Sequence, residues 1–214
     1  MLKSASQRKH ILRWLRSRSP NYVLDAKIPW LTFDAVDELR RRLPSHALVF
    51  EYGSGGSTLF WLKQGAHCTS VEHDEKWFAV LQKRLGDCKR LDYRLIPPDQ
   101  ETVGQRTDPV DPQAYRSTDP AFADRTFKNY VQQIDEFPNE HFDVVLVDGR
   151  ARPSCLMHAA PKVKHGGLLI LDNAERNDYT ARTRPYLQDF VRKEFPGAGP
   201  TTRSMWRTDI YQRP

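Results

Sequence analysis

Two hydrophobic rhythms share the chain. Short apolar runs recur at Leu48-Val49-Phe50-Glu51, Cys68-Thr69-Ser70-Val71, Tyr93-Arg94-Leu95-Ile96, Phe142 to Val147 and Leu168 to Leu171. Each is bounded by Gly, Pro or charged residues, as buried strands are. Between them the apolar positions fall at helical spacing: Val36, Leu39 and Leu43 before Pro44; Leu59, Phe60 and Leu62; Trp77, Leu81 and Leu85 before Gly86. Asp119-Pro120 predicts the start of a helix whose apolar face is Phe127, Tyr130, Val131 and Ile134, closed by Pro138. A further helix is expected over 153–160, and Tyr186, Phe190 and Val191 suggest a late one. His165-Gly166-Gly167 reads as the turn into the strand at 168–171. The tail 205–211 alternates like a last strand, to be paired near 197–203. Strands alternating with helices predict an α/β, doubly wound, Rossmann-like and mostly parallel sheet covered on both faces, with ligands at the carboxyl ends of its strands.

The chemistry concentrates where that rhythm breaks. The run 48–51 ends in Glu51 and passes into Gly53-Ser54-Gly55-Gly56-Ser57-Thr58. Such a turn continues neither strand nor helix, and the apolar spacing after it predicts a helix capped by Ser57 or Thr58. Backbone N–H groups converge at a turn of this kind, and missing Cβ atoms let a ligand reach the main chain. Glu72 stands twenty-one residues beyond Glu51, at the end of the next strand, where a carboxylate can hold the hydroxyls of a ribose. Together they point to an adenosine-type cofactor. A dinucleotide fingerprint needs a third glycine, and position 58 is Thr.

An acid two residues before the first glycine, as in Glu51-x-Gly53-x-Gly55, resembles motif I of the class I S-adenosylmethionine (SAM)-dependent methyltransferases. The resemblance covers about residues 45–214. It implies the class I methyltransferase fold with a final antiparallel strand at 205–211. It also implies a cofactor site of Glu51, Gly53, Ser54, Gly55, Ser57, Thr58, Glu72 and His73, with the turn at the methionine end of SAM and Glu72 on the ribose. Asp148, ending the fourth strand, would face the methyl group as base or orienting group. Asp148 with Asp172 and Asn173 is similar to the three-ligand Mg²⁺ set of the catechol-type O-methyltransferases. Those enzymes carry a lysine three residues after the first aspartate, where this chain has Ala151 flanked by Arg150 and Arg152. A metal-assisted and a metal-free reaction both remain open on these residues. Arg150 and Arg152, with Asp172 and Asn173, are the expected contacts of an acidic acceptor. The Asn/Asp-Pro-Pro-aromatic run of base-modifying relatives is absent after the fourth strand, which weighs against nucleic acid as the substrate.

Composition narrows the class further. At 214 residues, with 39% hydrophobic and 28% charged positions, the sequence suits one well-buried domain. We divide it into N-terminal accessory helices, 1–44, and a SAM-binding core, 45–214, carrying an insertion at 98–119. That insertion is proline-rich and poor in apolar residues, as lids and binding loops are. No apolar run approaches the ~18 residues of a membrane span, and the basic N-terminus lacks the apolar stretch of a signal peptide. Cys68, Cys88 and Cys155 fit neither a disulfide framework nor a zinc site. A cytoplasmic protein is expected. The net charge of +6 draws heavily on the first 42 residues, and a basic helix is expected over 6–18. The expectation is a SAM-dependent methyltransferase acting on a small molecule, at oxygen. Two alternatives are an RNA or protein methyltransferase docking through the basic helix, and a SAM-binding module without catalysis.

Overall fold

A seven-stranded sheet of order β3-β2-β1-β4-β5-β7-β6 carries the molecule. The structure is a computed structural model describing residues 10–19, 21–99, 107–202 and 204–214. The strands are β1 Leu48–Tyr52, β2 His67–Glu72, β3 Leu91–Leu95, β4 Phe142–Val147, β5 Val163–Leu171, β6 Val191–Gly197 and β7 Trp206–Gln212. The first five run parallel, and β7 lies antiparallel to both β5 and β6. The helices are α1 Ile11–Arg16, α2 Tyr22–Asp25, α3 Phe33–Arg42, α4 Gly56–Lys63, α5 Glu75–Leu85, α6 Lys128–Gln132, α7 Arg152–Ala159 and α8 Asn177–Thr183.

Both faces of the sheet are buried, which is why its central strands read as unbroken apolar runs. Alternate residues of β4 serve opposite cores. Val145 and Val147 pack with Phe50, Tyr52, Tyr130 and Leu156, whereas Val144 and Leu146 pack with Val49, Phe60, Trp61 and Leu39. The chain leaves β1 for β2 on one side, and β4 takes the place on β1's other side. The carboxyl ends of β1 and β4 therefore flank the topological switch point where open α/β sheets bind ligands.

Several expected boundaries move. Helix α4 starts at Gly56 with Gly55 as its cap, not at a Ser57 or Thr58 cap. The Thr58 hydroxyl accepts from the Gly55 N–H at 3.0 Å and donates to Glu51, so it secures the first turn from inside the helix. Asp119 caps only a single 3-10 turn over Pro120–Phe122, and α6 begins later. Its first amides are held instead by Asp99, whose carboxylate accepts from Lys128 N at 2.6 Å and Asn129 N at 3.3 Å. The Gly166-Gly167 pair does not end a turn before β5. It lies inside that strand, at a register irregularity against β4 with Gly166 at φ +77°. The late apolar positions do not share a helix: Tyr186 ends a 3-10 turn, while Val191 opens β6, the hairpin partner of β7. Of the expected helix over 6–18, residues 6–9 lie outside the described residues.

Residues 100–106 of the 98–119 insertion also lie outside them, but its described remainder is tied to the core. The Tyr115 N–H donates to Ser154 on α7 at 3.2 Å, and the Tyr115 carbonyl accepts from Phe127 N at 2.7 Å. Arg116 is buried and donates to the Thr107 hydroxyl at 2.9 Å. The N-terminal segment is equally engaged. Leu31, Ala35, Val36 and Leu39 belong to one of the two sheet cores, and a Cβ on Gly56 would stand 2.1 Å from the Ile28 carbonyl oxygen. Close approach of the 23–28 backbone is why that position is glycine.

Candidate active site

A cleft of about 840 Å³ opens over the carboxyl ends of β1, β2, β4 and β5. Its floor is the turn after β1. Gly53 sits at φ +91°, where a Cβ would meet the Asp148 carbonyl oxygen and the Gly149 Cα at 3.0 Å. Glycine lets the ends of β1 and β4 come this close. Gly55 is extended rather than left-handed, and an added Cβ would meet nothing nearer than the Trp77 ring at 3.9 Å. The space beside Gly55 is room in the cleft itself.

Glu72 forms one wall. Its Oε1 accepts from the N–H groups of His73 at 2.7 Å and Asp74 at 2.9 Å. Its Oε2 accepts from Ser54 N at 3.1 Å and Ser54 Oγ at 2.8 Å. Burial works to raise its pKa, but His73 and these donors outweigh it and hold the carboxyl below its ordinary value. Glu72 is thus ionised and bonded to the glycine turn. Ser54 Oγ also contacts Tyr93 OH at 2.8 Å, and the Trp77 indole donates to the Ser54 carbonyl at 2.9 Å. His73 places Nδ1 2.9 Å from Glu72 Oε1 while its Nε2 accepts from Arg150 Nε at 3.2 Å.

Asp148 stands across the cleft, just beyond β4. Burial and then the neighbouring Asp172 carboxylate push its pKa up to about 8, against the pull of Arg152. Arg152 Nη2 donates to Asp148 Oδ1 at 3.0 Å, and among the described residues Oδ2 accepts no hydrogen bond. Arg152 is reached through two left-handed residues. Ala151 at φ +47° opens α7, and Asn173 at φ +51° follows β5, conformations that non-glycine residues adopt at an energetic penalty. The guanidinium lies between the ends of β4 and β5. There it donates to Gly149 O at 3.1 Å, Asn173 Oδ1 at 3.0 Å, Asp172 O, and both the carbonyl and the carboxylate of Asp148. A guanidinium has five N–H donors, so Arg152 has none to spare for a substrate.

The expected residues therefore sort by depth. Gly53, Ser54, Gly55, Ser57, Glu72, His73, Asp148, Arg150, Asp172 and Asn173 line the cleft. Glu51 and Thr58, expected to touch the cofactor, lie fully buried beneath it. Glu51 accepts from Thr58, Trp61 Nε1 at 2.9 Å and Ser70 Oγ at 2.7 Å, and burial raises its pKa. It organises the turn from below. Arg152, expected at the acceptor, directs its donors to Asp148, Gly149, Asp172 and Asn173. Asp172 also turns from the expected role: its Oδ1 accepts from Trp206 Nε1 at 2.9 Å and Thr208 Oγ1 at 2.7 Å. The proposed set of Asp148, Asp172 and Asn173 does not fit a divalent cation. A permanent cation already lies among these groups, and one carboxylate oxygen is committed to β7.

Sequence reasoning passed over Trp77, which was legible only as part of an apolar helix face, and over Trp30, Met205 and Trp206, which complete the cleft. Nothing in their local patterns marks them, because they reach the site from chain segments far apart in sequence.

No family model matches the sequence, and no curated protein matches it. Solved structures do. A candidate O-methyltransferase from Klebsiella pneumoniae superposes with a TM-score of 0.59 at 15% identity, over 98% of this chain and 96% of that one. A methyltransferase-like protein from Silicibacter pomeroyi gives 0.51 at 23% identity, over 88% and 91%. The 1,6-didemethyltoxoflavin-N1-methyltransferase of Burkholderia thailandensis, solved with S-adenosylhomocysteine bound, gives 0.52 at 14% identity, over 97% and 87%. The chain spans only about half of the spermidine synthase from Thermotoga maritima that it also matches, 55% of its length at 15% identity. The likeness is one of fold. With its 3-2-1-4-5-7-6 sheet and antiparallel β7, the chain has the class I SAM-dependent methyltransferase fold.

Proposed function

We propose that the protein is a SAM-dependent methyltransferase acting on a small molecule, at oxygen. The observation that carries this is the cleft itself: Glu72, ionised and tied to a glycine turn, faces Asp148 across about 840 Å³ at the switch point of the sheet. That volume suits a cofactor with a modest acceptor beside it. The residues fit the group. Gly53 and Gly55 would leave the main chain open to the methionine end, and Glu72, whose partner Ser54 Oγ has Tyr93 OH as a second partner, would hold the ribose hydroxyls. When bound, SAM supplies an electrophilic methyl group on a sulfonium leaving group. The chain's own task is then placement and proton removal. Asp148 takes the proton of the acceptor hydroxyl on Oδ2, while Arg152 holds Oδ1 in place.

The reaction we propose needs no metal, since Arg152 supplies the cation between Asp148 and Asn173. Methyl transfer should be indifferent to EDTA, and a loss restored by Mg²⁺ would overturn the metal-free assignment. The basic helix behind the RNA alternative is partly spent within the chain: Arg13 pairs with Asp37 at 2.7 Å, and Arg18 lies over the Trp14 ring.

Binding tests the cofactor directly. Calorimetry with S-adenosylhomocysteine should show binding to the wild type. Glu72→Ala, losing charge-assisted bonds to the ribose, should weaken it by about 1.5–3 kcal/mol. Equal affinity in the variant would remove Glu72 from the site, and no binding to the wild type would end the assignment.

A further inference from the structure

Beside the main cleft lies a second cavity of about 370 Å³, sharing Gly149, Arg150 and Asn173 with it. Its other walls come from Ser117 to Pro120, from Ala151 and Arg152, and from Arg176 and Tyr179. Three arginines thus meet in one small space, and they differ in how much of their charge is already answered. Arg152 is fully bonded, as described above. Arg150 is partly answered: Nε donates to His73, Nη2 stands 3.2 Å from Asp119 Oδ2, and the guanidinium lies 5.4 Å from the centre of the Phe122 ring. Among the described residues Arg176 meets no carboxylate. Its guanidinium makes one hydrogen bond among the described residues, from Nη1 to Tyr179 OH at 3.1 Å, and lies 5.6 Å from the centre of that ring. Tyr179 is in turn nearly buried and bonded to the Thr118 hydroxyl, so it holds Arg176 on a fixed platform.

A cavity with hydroxyls, an unanswered guanidinium and a second one half-answered is built for a planar or tetrahedral oxyanion. Asp119 does not fill that role for Arg176. Its Oδ1 caps the 3-10 turn by accepting from Ala121 N at 3.0 Å, and its Oδ2 serves Arg150. We propose that this cavity receives an anionic group of the methyl acceptor, a carboxylate or a phosphate or sulfate ester, gripped by Arg176 with Arg150 beside it. The inference rests on the methyltransferase reading and specifies its substrate class. The acceptor hydroxyl lies at Asp148 in the main cleft, and the anion enters the adjoining cavity past Arg150, the residue common to both. The sequence pairs Arg150 with Arg152 as the anion clamp; in the proposed site Arg176 takes the place of Arg152, whose donors are spent within the chain.

The test uses the full chain, a small-metabolite extract split by anion exchange, and labelled SAM. S-adenosylhomocysteine binding is measured in parallel. The methyl acceptor should be retained on the resin and eluted by salt. Phosphatase treatment of the eluate removes activity if the anion is a phosphate ester, sulfatase treatment removes it if the anion is a sulfate ester, and neither does so if it is a carboxylate. Arg176→Gln, at an exposed position, should raise KM for that acceptor about 10-fold or more, the expected loss of one charge-assisted pair. It should leave kcat and the affinity for S-adenosylhomocysteine near wild type. An acceptor found in the flow-through, or a KM unmoved in Arg176→Gln, overturns the anion site while the cofactor assignment stands. Failure of S-adenosylhomocysteine to bind overturns the methyltransferase reading itself.

Discussion

Asp148→Asn should lower methyl transfer by about 10²–10⁴-fold, the usual worth of a positioned general base. The amide keeps the shape of the side chain and an oxygen for Arg152, so S-adenosylhomocysteine should bind as in the wild type. The loss should fall on kcat. The pH profile gives an independent reading. A base must be ionised to act, so wild-type activity should rise with pH through the Asp148 pKa. Burial and Asp172 push that pKa up to about 8 in the unliganded protein. The sulfonium charge of bound SAM pulls it down, and the inflection in kcat should therefore lie below 8. Asp148→Asn should lose this limb. Activity within a few-fold of wild type, with the same profile, would show that Asp148 only lines the cleft.

Arg152→Met should be the most destabilising change in the site. It removes the cation between Asp148 and Asp172 and leaves the latter buried. Breaking such a pair from one side costs about 3 kcal/mol or more; the lower figure applies because the Asp148 side chain retains 24% exposure. The pH dependence separates this from a simple packing loss. In both aspartates burial, the largest cause, raises the pKa above 3.8, and Arg152 opposes it. In the variant both pKa values should climb further. A carboxyl with a folded pKa above its unfolded one binds more protons when folded, so stability falls as pH rises between the two values. The deficit should therefore be small where the carboxyls are protonated in both folded proteins, and grow as pH rises through about 8, the folded wild-type value of Asp148, toward the higher value of the variant. Urea unfolding of variant and wild type at pH 6 and pH 9 measures this. An equal deficit at both would mean that Arg152 contributes packing and hydrogen bonds rather than charge compensation.

Much of this architecture was legible along the chain because its signals are local. The short valine-rich run 142–147, bounded by polar residues and glycine, reads as a strand buried on both faces, and Gly53-x-Gly55 after the run 48–51 reads as a tight turn at a strand's carboxyl end. Asp74, a residue type that favours helix N-termini, caps α5 with its Oδ1 accepting from Trp77 N at 2.9 Å. The misreadings have a common physical source. The spacing of Val191 with Tyr186 and Phe190 suggests a helix, but β6 is an edge strand with five of its seven residues exposed. Such a strand is specified mainly by the backbone of β7 beside it and leaves little apolar pattern of its own.

The candidate site divides along the same line. The sequence by itself determined which carboxylates end which strands, because strand ends and spacing are properties of consecutive residues. It placed Glu72, Asp148 and Asp172 at one edge of one sheet. Only the tertiary structure decided what each carboxylate faces. Glu51 turned down into Thr58, Trp61 and Ser70, and Asp172 turned to Trp206 and Thr208 on a strand that enters from the far end of the chain. Arg152, four residues from Asp148 and indistinguishable from Arg150 as a letter in the sequence, became the enclosed cation. Left-handed Ala151 opens the helix that starts with Arg152, and the partners of the side chain are set by where that helix points rather than by its neighbours in sequence.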